Sequence, residues 1–341
     1  MKNRKRDKRD KIAIYARRCG LNRLLSHLPK RSLLLVLNYH RIGDPTDTPF
    51  DPGVFSATGE EFDQHIRLLK RHTRCVTLDD VIALVEHRAV AREPWSLVTF
   101  DDGYRDNYEH AFPILRSQGV QGVFFLPTSF INSSRLPWWD AIAYMVKNCR
   151  KAKLALSYPY PMEFSCENDS LRDVIRQILS IYSTPGVDGD LYMKGLKQAC
   201  GITPPDKDGE RCFLTWAEVA QMAAAGMALG AHSHRHEIMS KLTPEEQYRE
   251  ALQCKHSIEQ HAGREVQAFA YPVGIRTSFS ADTVLALKRA GYRAAFSFYG
   301  GVNMRSEMNP FDIRRCGVEG QIPSRFECQV LVTTVAARFW P

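Results

Sequence analysis

Short apolar runs alternate with helical patterns along most of this 341-residue chain. Patterns with helical periodicity lie between most of the runs, for example at 59–72, 107–118 and 244–261. Such alternation indicates an α/β fold with a mostly parallel sheet, open or closed into a barrel. Eight candidate strands favour the barrel. The strand-like runs are 33–39, 75–78, 97–101, 122–126, 228–231, 268–271, 294–298 and 313–318.

Residues 132–212 interrupt the alternation. They contain two or three helical patterns and no convincing strand, so we expect a helical insertion between two strand–helix units. With 44% hydrophobic and 25% charged residues, the composition is that of a globular protein and excludes a disordered or fibrous chain. We therefore expect one domain at 32–330, preceded by an arm at 1–31.

The arm carries the positive charge of the chain. Residues 1–31 contain 12 Lys and Arg against two Asp, whereas the remainder carries 34 basic and 36 acidic residues. Such an arm can contact anionic lipid or nucleic acid, or it can be a solvated, partly disordered terminus. The apolar residues at Ile14, Leu21, Leu25 and Leu28 predict a short basic amphipathic helix, weakened by Gly20, which would lie on a membrane surface or pack on its own domain.

No part of the sequence indicates export or a membrane span. The longest aliphatic run is 33–37, and the apolar stretch at 12–16 is too short for the core of a secretory signal. None of the nine cysteines forms a Cys-x-x-Cys pair, so we expect neither a disulfide framework nor a cysteine zinc site. We expect a cytoplasmic protein, which the arm could hold at the inner membrane surface.

Two adjacent carboxylates, Asp101 and Asp102, follow an apolar strand-like run and precede a glycine turn. Parallel α/β sheets carry their chemistry at the carboxyl ends of the strands. Because neighbouring strand residues point to opposite sides, one Asp can bind a metal ion while the other faces bound water as a base. The alternative is a structural turn and helix start, for which Asp-Gly is a common pair.

Three histidines, His232, His234 and His236, follow a second strand-like run. The spacing of four lets the first and last converge on one cation. A chain with 11 histidines contains roughly a third of one such pair by chance, so the position at a strand end is the stronger argument. For His234 we expect a side chain turned to solvent or hydrogen-bonded in the turn. Two His and one Asp leave coordination positions for water and substrate, as in catalytic metal sites.

Two further strand ends are of interest only in combination with the others. The run at 268–271 leads into Pro272, Val273 and Gly274, a sharp turn whose backbone N–H groups can face a developing oxyanion. Alone, this segment is simply a loop. His40 ends the first strand and should lie at the same edge of the sheet, although a lone histidine there is usually just hydrogen-bonded.

Together these motifs resemble those of the NodB-homology polysaccharide deacetylases, carbohydrate esterase family four. The resemblance extends from about residue 32 to about residue 318, apart from the insertion, and implies a NodB-like distorted (β/α) barrel with seven or eight strands. The matching segments are Thr99-Phe100-Asp101-Asp102-Gly103, His232-Ser233-x-x-His236 and Phe269-x-x-Pro272-x-Gly274.

The resemblance also implies a role for each motif residue. Asp101 would be the general base, and Asp102, His232 and His236 would hold a divalent metal ion. The turn after residue 271 would contribute to the oxyanion site. We expect zinc, although two His and one carboxylate also suit cobalt, nickel or iron.

Two features of many family members are different here. Many members have an Arg in the third motif that orients the base, whereas this chain has Ala270 at that position. Many also have a Leu-x-His near the C-terminus that supplies the acid, whereas the last histidine here is His261. A permuted subgroup related to exopolysaccharide deacetylases is more similar, with a Tyr-His-Arg first strand and a Phe-Ala-Tyr-Pro-x-Gly third motif. In that subgroup the N-terminal histidine is the acid, which assigns this role to His40. Trp138 and Trp139 also match the subgroup, either as contacts for a sugar face or as packing residues.

The implied activity is the metal-dependent removal of N-acetyl groups from amino sugars of a polysaccharide, oligosaccharide or lipid-linked glycan. A deformylase, an O-acetyl esterase or another amidase would use the same attack by water. A non-enzymatic carbohydrate-binding protein is less favoured, because base, ligands and acid are all present. We expect no nucleic-acid partner, because the body is slightly acidic and contains no nucleic-acid motif. The expected partners are an acetylated glycan and, through the arm, an anionic membrane.

Overall fold

The structure is a computed structural model that describes residues 8–166, 170–205, 211–318 and 320–337. Its strands are β1 Leu34–Tyr39, β2 Arg41–Ile42, β3 Phe55–Ala57, β4 Arg74–Cys75, β5 Trp95–Phe100, β6 Gly122–Leu126, β7 Lys153–Leu156, β8 Met162–Ser165, β9 Ala228–Ala231, β10 Ala268–Ala270, β11 Ala294–Ser297 and β12 Ile313–Gly317. Its α-helices are α1 Lys8–Arg18, α2 Leu21–His27, α3 Gly59–His72, α4 Leu78–Val85, α5 Phe112–Gln118, α6 Trp138–Asn148, α7 Leu171–Tyr182, α8 Gly189–Cys200, α9 Trp216–Ala224, α10 Pro244–Ala262, α11 Ala281–Arg289 and α12 Pro323–Ala336.

Seven parallel strands form a closed barrel in the order β1-β12-β11-β10-β9-β6-β5. The barrel closes where β5 pairs with β1 over six residues, from Leu34 opposite Trp95 to Tyr39 opposite Phe100. The eighth predicted strand, β4, is only two residues long and pairs with the start of β5. The predicted barrel of seven or eight strands is therefore confirmed, and its carboxyl edge gathers the motif residues.

The barrel interior changes from apolar to polar along the strands. Leu34 and Val36 of β1, Leu97 of β5 and Ile313 of β12 belong to one buried cluster, which α4 completes with Val81 and neighbouring residues. Because strand side chains alternate between two faces, the same interior rows continue toward the carboxyl edge. Asn38 follows Val36, Arg315 follows Ile313, and Thr99 and then Asp101 follow Leu97, and all four are buried and polar.

The insertion forms a small hydrophobic core of its own between β6 and α9. Helices α6, α7 and α8 contribute Ile142, Val174 and Leu196 to that core, among others. The structure adds an antiparallel hairpin, β7 with β8, that the sequence interpretation did not include. Along β7, exposed and buried side chains alternate, which is the pattern of a half-buried strand in only four residues.

The basic arm forms two helices that break at Gly20, whose backbone is left-handed with φ 77°. Helix α1 packs on α12 through Ala13 and Ala16, which are buried. Of the four apolar residues that predicted the amphipathic helix, Ile14 and Leu25 are half-buried, whereas Leu21 is 42% and Leu28 is 40% exposed. Within the described residues, no helix combines the length and hydropathy that a membrane span requires.

His65 on α3 connects the barrel to α12 from a fully buried position. Its ring stacks on Phe326 and lies within hydrogen-bond distance of the Tyr39 hydroxyl, at 3.3 Å, and the Gln321 carbonyl, at 3.1 Å. Burial lowers the pKa of His65 from 6.5 to about 3. The folded protein therefore keeps this ring neutral at a pH where the unfolded chain protonates it.

We expect this histidine to make the protein less stable in mild acid. As pH falls below 6.5, the unfolded chain binds one proton more than the folded chain, so the free energy of unfolding decreases by up to about 1.4 kcal/mol per pH unit from this group. Urea unfolding at pH 7.5 and 5.5 measures the effect. His65→Gln, which does not titrate, should show a smaller loss than the parent, and equal losses in both proteins would contradict the assignment.

Candidate active site

A buried ion pair closes the interior of the barrel. The Arg315 guanidinium donates from Nη1 to Asp101 Oδ1 at 2.7 Å and to Asn38 Oδ1 at 2.8 Å, and from Nε to the Ser297 carbonyl at 3.1 Å. Asn38 Nδ2 donates to the second carboxylate oxygen, Asp101 Oδ2, at 3.0 Å. The Thr99 hydroxyl in turn donates to Asn38 Oδ1 at 2.9 Å. The Asp101 carboxylate is thus held from both oxygens in one orientation.

This arrangement keeps Asp101 ionised. Burial would raise the pKa of the carboxyl group, but the charges of Arg315 and His232 outweigh burial and lower it below its ordinary value. An ionised carboxylate only accepts hydrogen bonds, and each oxygen retains a lone pair beyond its bond to Arg315 or Asn38. Asp101 can therefore accept a proton from a neighbouring group.

Asp102, His232 and His236 form a second cluster beside this pair. Their ligand atoms lie within 4.8 Å of one another, and all three residues are buried. Asp102 Oδ1 is 3.2 Å from His236 Nε2 and 3.5 Å from His232 Nε2. Burial would raise the pKa of the Asp102 carboxyl group, but the imidazoles of His232 and His236 beside it outweigh burial and lower that pKa. One carboxylate oxygen and two imidazole nitrogens converging in this way are a donor set for a divalent metal ion.

The tautomer of His232 supports a cation at this point. Its Nδ1 faces the Ala270 carbonyl at 2.8 Å, which only accepts a hydrogen bond, so Nδ1 carries the proton. Burial lowers the pKa of His232, but the Asp101 and Asp102 carboxylates outweigh burial and raise it, so a cation bound at Nε2 would take the place of a proton there. A second partner that fixes the ring in this way is typical of metal-binding histidines.

Backbone strain is concentrated at the same place. Seven non-glycine residues of the described chain have positive φ, and four of them are Asp102, Ser233, His236 and Val273. Left-handed backbone costs roughly 1–2 kcal/mol for a residue with a Cβ atom. The turns at two strand ends thus rotate Asp102 and His236 toward a common point, away from the direction of the strands.

The insertion reaches the metal cluster through Trp139. Its ring lies 4.4 Å from the His236 ring, and its Nε1 donates to the Tyr104 hydroxyl at 2.7 Å. Trp139 is only 5% exposed and packs against His236 of the candidate metal cluster. Trp138 is half-buried and stacks on Tyr182 of α7 at 4.2 Å.

His40 and the turn after β10 lie at the same edge of the barrel. The backbone N–H of His40 donates to Ser56 Oγ at 2.9 Å, and its ring lies 5.8 Å from the Phe298 ring. Val273 and Gly274 both have positive φ. A Cβ atom at Gly274 would lie 2.7 Å from the Phe298 backbone nitrogen, so this close approach requires glycine.

His234 points away from the cluster. Its Nδ1 lies 2.8 Å from the Thr128 hydroxyl and its Nε2 lies 3.1 Å from the Gln253 side chain. This is the hydrogen-bonded alternative that the sequence suggested for it. By contrast, the sequence did not identify Arg315 or Asn38. The signal in the sequence that could have identified them is a polar residue within an apolar strand-like run, Asn38 in 33–39 and Arg315 in 313–318.

We expect zinc to bind the cluster of Asp102, His232 and His236 in solution. Calorimetric titration of the metal-free chain should give one site, and His236→Ala should abolish it because one of three ligands is removed. His234→Ala is the matched control and should bind as the parent does. Equal binding by the parent and the His236 variant would contradict the ligand assignment.

Comparison with known proteins identifies the fold and the family. A polysaccharide deacetylase family model matches residues 89–295. YxkH of Bacillus subtilis (strain 168) is 19% identical over 279 residues, which cover 82% of this chain and 69% of YxkH. The poly-beta-1,6-N-acetyl-D-glucosamine N-deacetylase of Staphylococcus epidermidis is 30% identical over 116 residues, covering 31% of this chain and 39% of that protein.

Solved structures show the same architecture. IcaB from Ammonifex degensii has a TM-score of 0.57 at 18% identity, covering 89% of this chain and 98% of that chain. The deacetylase PplD of Streptococcus pyogenes, solved with acetate, has a TM-score of 0.56 at 14% identity, with 90% and 99% covered. The family match spans more than half of the residues and includes Asp101, Asp102, His232 and His236. The chain therefore belongs to the polysaccharide deacetylase family.

Proposed function

We propose that this hydrolase removes N-acetyl groups from amino sugars of a glycan, with Asp101 as the base. The observation that carries the proposal is the ionised Asp101 carboxylate, oriented by Arg315 and Asn38 and adjacent to a cation-binding cluster. His232 Nε2 is 3.9 Å from Asp101 Oδ2, so base and ligands share one small volume.

The metal ion, when bound by Asp102, His232 and His236, would polarise the amide carbonyl and lower the pKa of a bound water molecule. Asp101 accepts the proton of the attacking water. Arg315 is a positioning residue, because it bonds to Asp101 from a fully buried position in the barrel interior. We propose zinc as the natural metal, with cobalt, nickel and iron as alternatives to be compared in metal-free protein.

His40 is the proposed acid, which donates a proton to the leaving amine nitrogen. The support is its position directly after β1, at the barrel edge that also carries Asp101 and Asp102. Backbone N–H groups of the turn at Pro272, Val273 and Gly274 are the proposed donors to the oxyanion. The products would be acetate and a free amino sugar.

The proposed substrate class is a β-linked N-acetylglucosamine polymer, oligomer or lipid-linked precursor. The named activity of the Staphylococcus epidermidis relative supports this choice. Trp138, half-buried next to the site, is the candidate aromatic contact for a sugar ring. Deformylation and O-acetyl ester cleavage are the alternatives. Release of acetate or formate from a panel of N-acetyl, N-formyl and O-acetyl sugars, measured with added zinc, distinguishes them.

The compartment stays a prediction. The sequence suggested a cytoplasmic protein at the inner membrane surface, and fractionation of cells that make the full chain tests it.

Replacing Asp101 should separate binding from chemistry. Asp101→Asn should keep the metal, because Asp101 is not in the ligand cluster, yet lose turnover by about two to four orders of magnitude, the usual contribution of a positioned acid or base. Turnover of acetylated oligomers and zinc content are the measurements. Turnover near that of the parent would assign proton transfer to another residue.

Arg315→Lys is the companion variant. It keeps the buried positive charge but cannot donate to Asp101, Asn38 and Ser297 together, so kcat should decrease while KM changes little. A change in KM alone would indicate that Arg315 contacts the substrate.

The role of His40 is tested by the choice of leaving group. His40→Ala should remove the alkaline limb of the pH profile of kcat/KM and slow amide substrates most, since an amine leaves poorly without a proton. Activated esters should be affected far less. If His40 only anchors β1, amide and ester rates should fall together with thermal stability, and the alkaline limb should persist.

A further inference from the structure

Large apolar side chains are exposed in an unusual concentration on α1, on α2 and on the residue that follows α2. The described residues include eleven exposed large hydrophobic side chains, and five of them lie between residues 12 and 28. The other six are scattered from Val90 to Leu285. A clustered apolar surface marks an interaction site, whereas scattered exposed residues need no explanation. The five are Ile12, Tyr15, Leu21, Leu24 and Leu28, exposed by 68, 71, 42, 61 and 40%.

The two helices pack on the domain through their small and polar residues. Ala13 and Ala16 are buried, and so are Asp10 and Asn22. Asn22 Nδ2 donates to Glu327 Oε2 at 2.9 Å, and Asp10 Oδ1 lies 3.7 Å from Arg325 Nη1. A surface helix normally turns its apolar side inward. Here most of the large apolar side chains face solvent, and only Ile14 and Leu25 are half-buried, so an apolar surface is available to a partner.

Positive charge surrounds the exposed apolar residues. Lys8 is one turn before Ile12 and Lys11 is one turn before Tyr15, so they share a face of α1. Arg18 and Arg23 are also exposed. The only acidic residue among residues 8–31 is Asp10, which is buried against α12.

We propose that α1 and α2 form a docking surface for an anionic lipid bilayer. We call this the arm surface: Ile12, Tyr15, Leu21, Leu24 and Leu28, with Lys8, Lys11, Arg18 and Arg23. Apolar side chains that enter the interface, flanked by Lys and Arg, are the pattern of helices that lie on membranes. A second copy of the chain fits less well, because pairing the two surfaces would bring like charges together. The proposal concerns membrane attachment and does not depend on the reaction.

The arm surface is connected to the catalytic edge. Helix α1 contacts the first turn of α12, where Arg17 reaches Ser324 at 3.5 Å. The residues before that turn include Gly320, whose N–H donates to the Ser56 carbonyl, and Ser56 Oγ accepts from the His40 N–H. Docking through α1 would therefore hold the catalytic edge on the side of the molecule that faces the bilayer, where a lipid-linked glycan is found.

Co-sedimentation of the full chain with vesicles tests the proposal. The parent should bind phosphatidylcholine vesicles that contain phosphatidylglycerol, bind pure phosphatidylcholine much more weakly, and be released by salt. Lys8→Gln with Lys11→Gln should weaken binding by about fivefold for each charge removed. Ile12→Ser with Leu24→Ser should also weaken it, because the apolar contact is lost.

Leu285→Ser is the matched control, since Leu285 on α11 is 63% exposed, like Leu24 at 61%, but lies outside the arm surface. It should bind vesicles as the parent does. Unfolding temperature and zinc content should be equal in all variants. If the double variant Ile12→Ser with Leu24→Ser is less stable than the parent, the single variant Leu24→Ser is compared with Leu285→Ser instead. Vesicle binding, unfolding temperature and zinc content are all measured without the deacetylation reaction.

Three results would overturn the proposal. One is equal binding to neutral and anionic vesicles, or no binding to either. Another is loss of binding in Leu285→Ser as large as in the arm variants. The third is a different occupant of the arm surface, with no binding to vesicles. Analytical ultracentrifugation would then show a dimer, or a gel-shift would show bound nucleic acid, and the arm substitutions would abolish that association.

Discussion

Asp101 and Arg315 form an ion pair that is almost wholly removed from water, and both the barrel and the site depend on it. Burying either charge alone would be costly, and leaving one unpaired typically costs about 3–5 kcal/mol. The pair avoids this cost because each charge is the partner of the other and both side chains have further hydrogen bonds. Asn38 donates to Asp101 and accepts from Arg315, and the Ser297 carbonyl accepts from Arg315 Nε. These four residues come from β1, β11, β12 and the end of β5. Correct closure of the barrel is therefore needed to compensate the charges, and the same closure orients Asp101, the proposed base.

The two neighbouring carboxylates differ in how their charge is compensated. Asp101 has a guanidinium within the chain, whereas Asp102 Oδ1 faces the Nε2 atoms of two imidazoles. The Ala270 carbonyl fixes one proton of His232 on Nδ1, which leaves Nε2 directed at Asp102. A cation bound there would take the place of a proton. This difference in counter-charge, more than the order of the residues, supports Asp101 as base and Asp102 as ligand.

The sequence predicted the parts of the site that are local to a strand end. Seven of the eight predicted strands form in the barrel, because each is a short apolar run bounded by turns, whereas the run at 75–78 gives only the two-residue β4 before α4 begins at Leu78. The candidate ligand motifs follow two of the seven. Arg315 could not be assigned in this way, since it is 214 positions from Asp101 and becomes its neighbour only when the barrel closes. The β7–β8 hairpin is short, and burial within the insertion stabilises it. For the arm, periodicity located the apolar residues of α1 and α2, but their outward orientation depends on Asn22 and Asp10 contacting α12.

The insertion supports the site through one of two adjacent tryptophans, Trp138 and Trp139, which have different environments. Trp139 is buried against His236, whose backbone has a left-handed φ of 57°, and its indole N–H is used by Tyr104. Helix α6 begins at Trp138 and continues into the core of the insertion. A strained ligand is thus supported by a residue whose position depends on the folding of the insertion. The Trp138 ring lies farther from His236, at 6.3 Å, and its stack on Tyr182 leaves it half-buried beside the site. Of the two, Trp139 is therefore the one that packs against the candidate metal cluster, which leaves Trp138 as the proposed contact for a sugar ring.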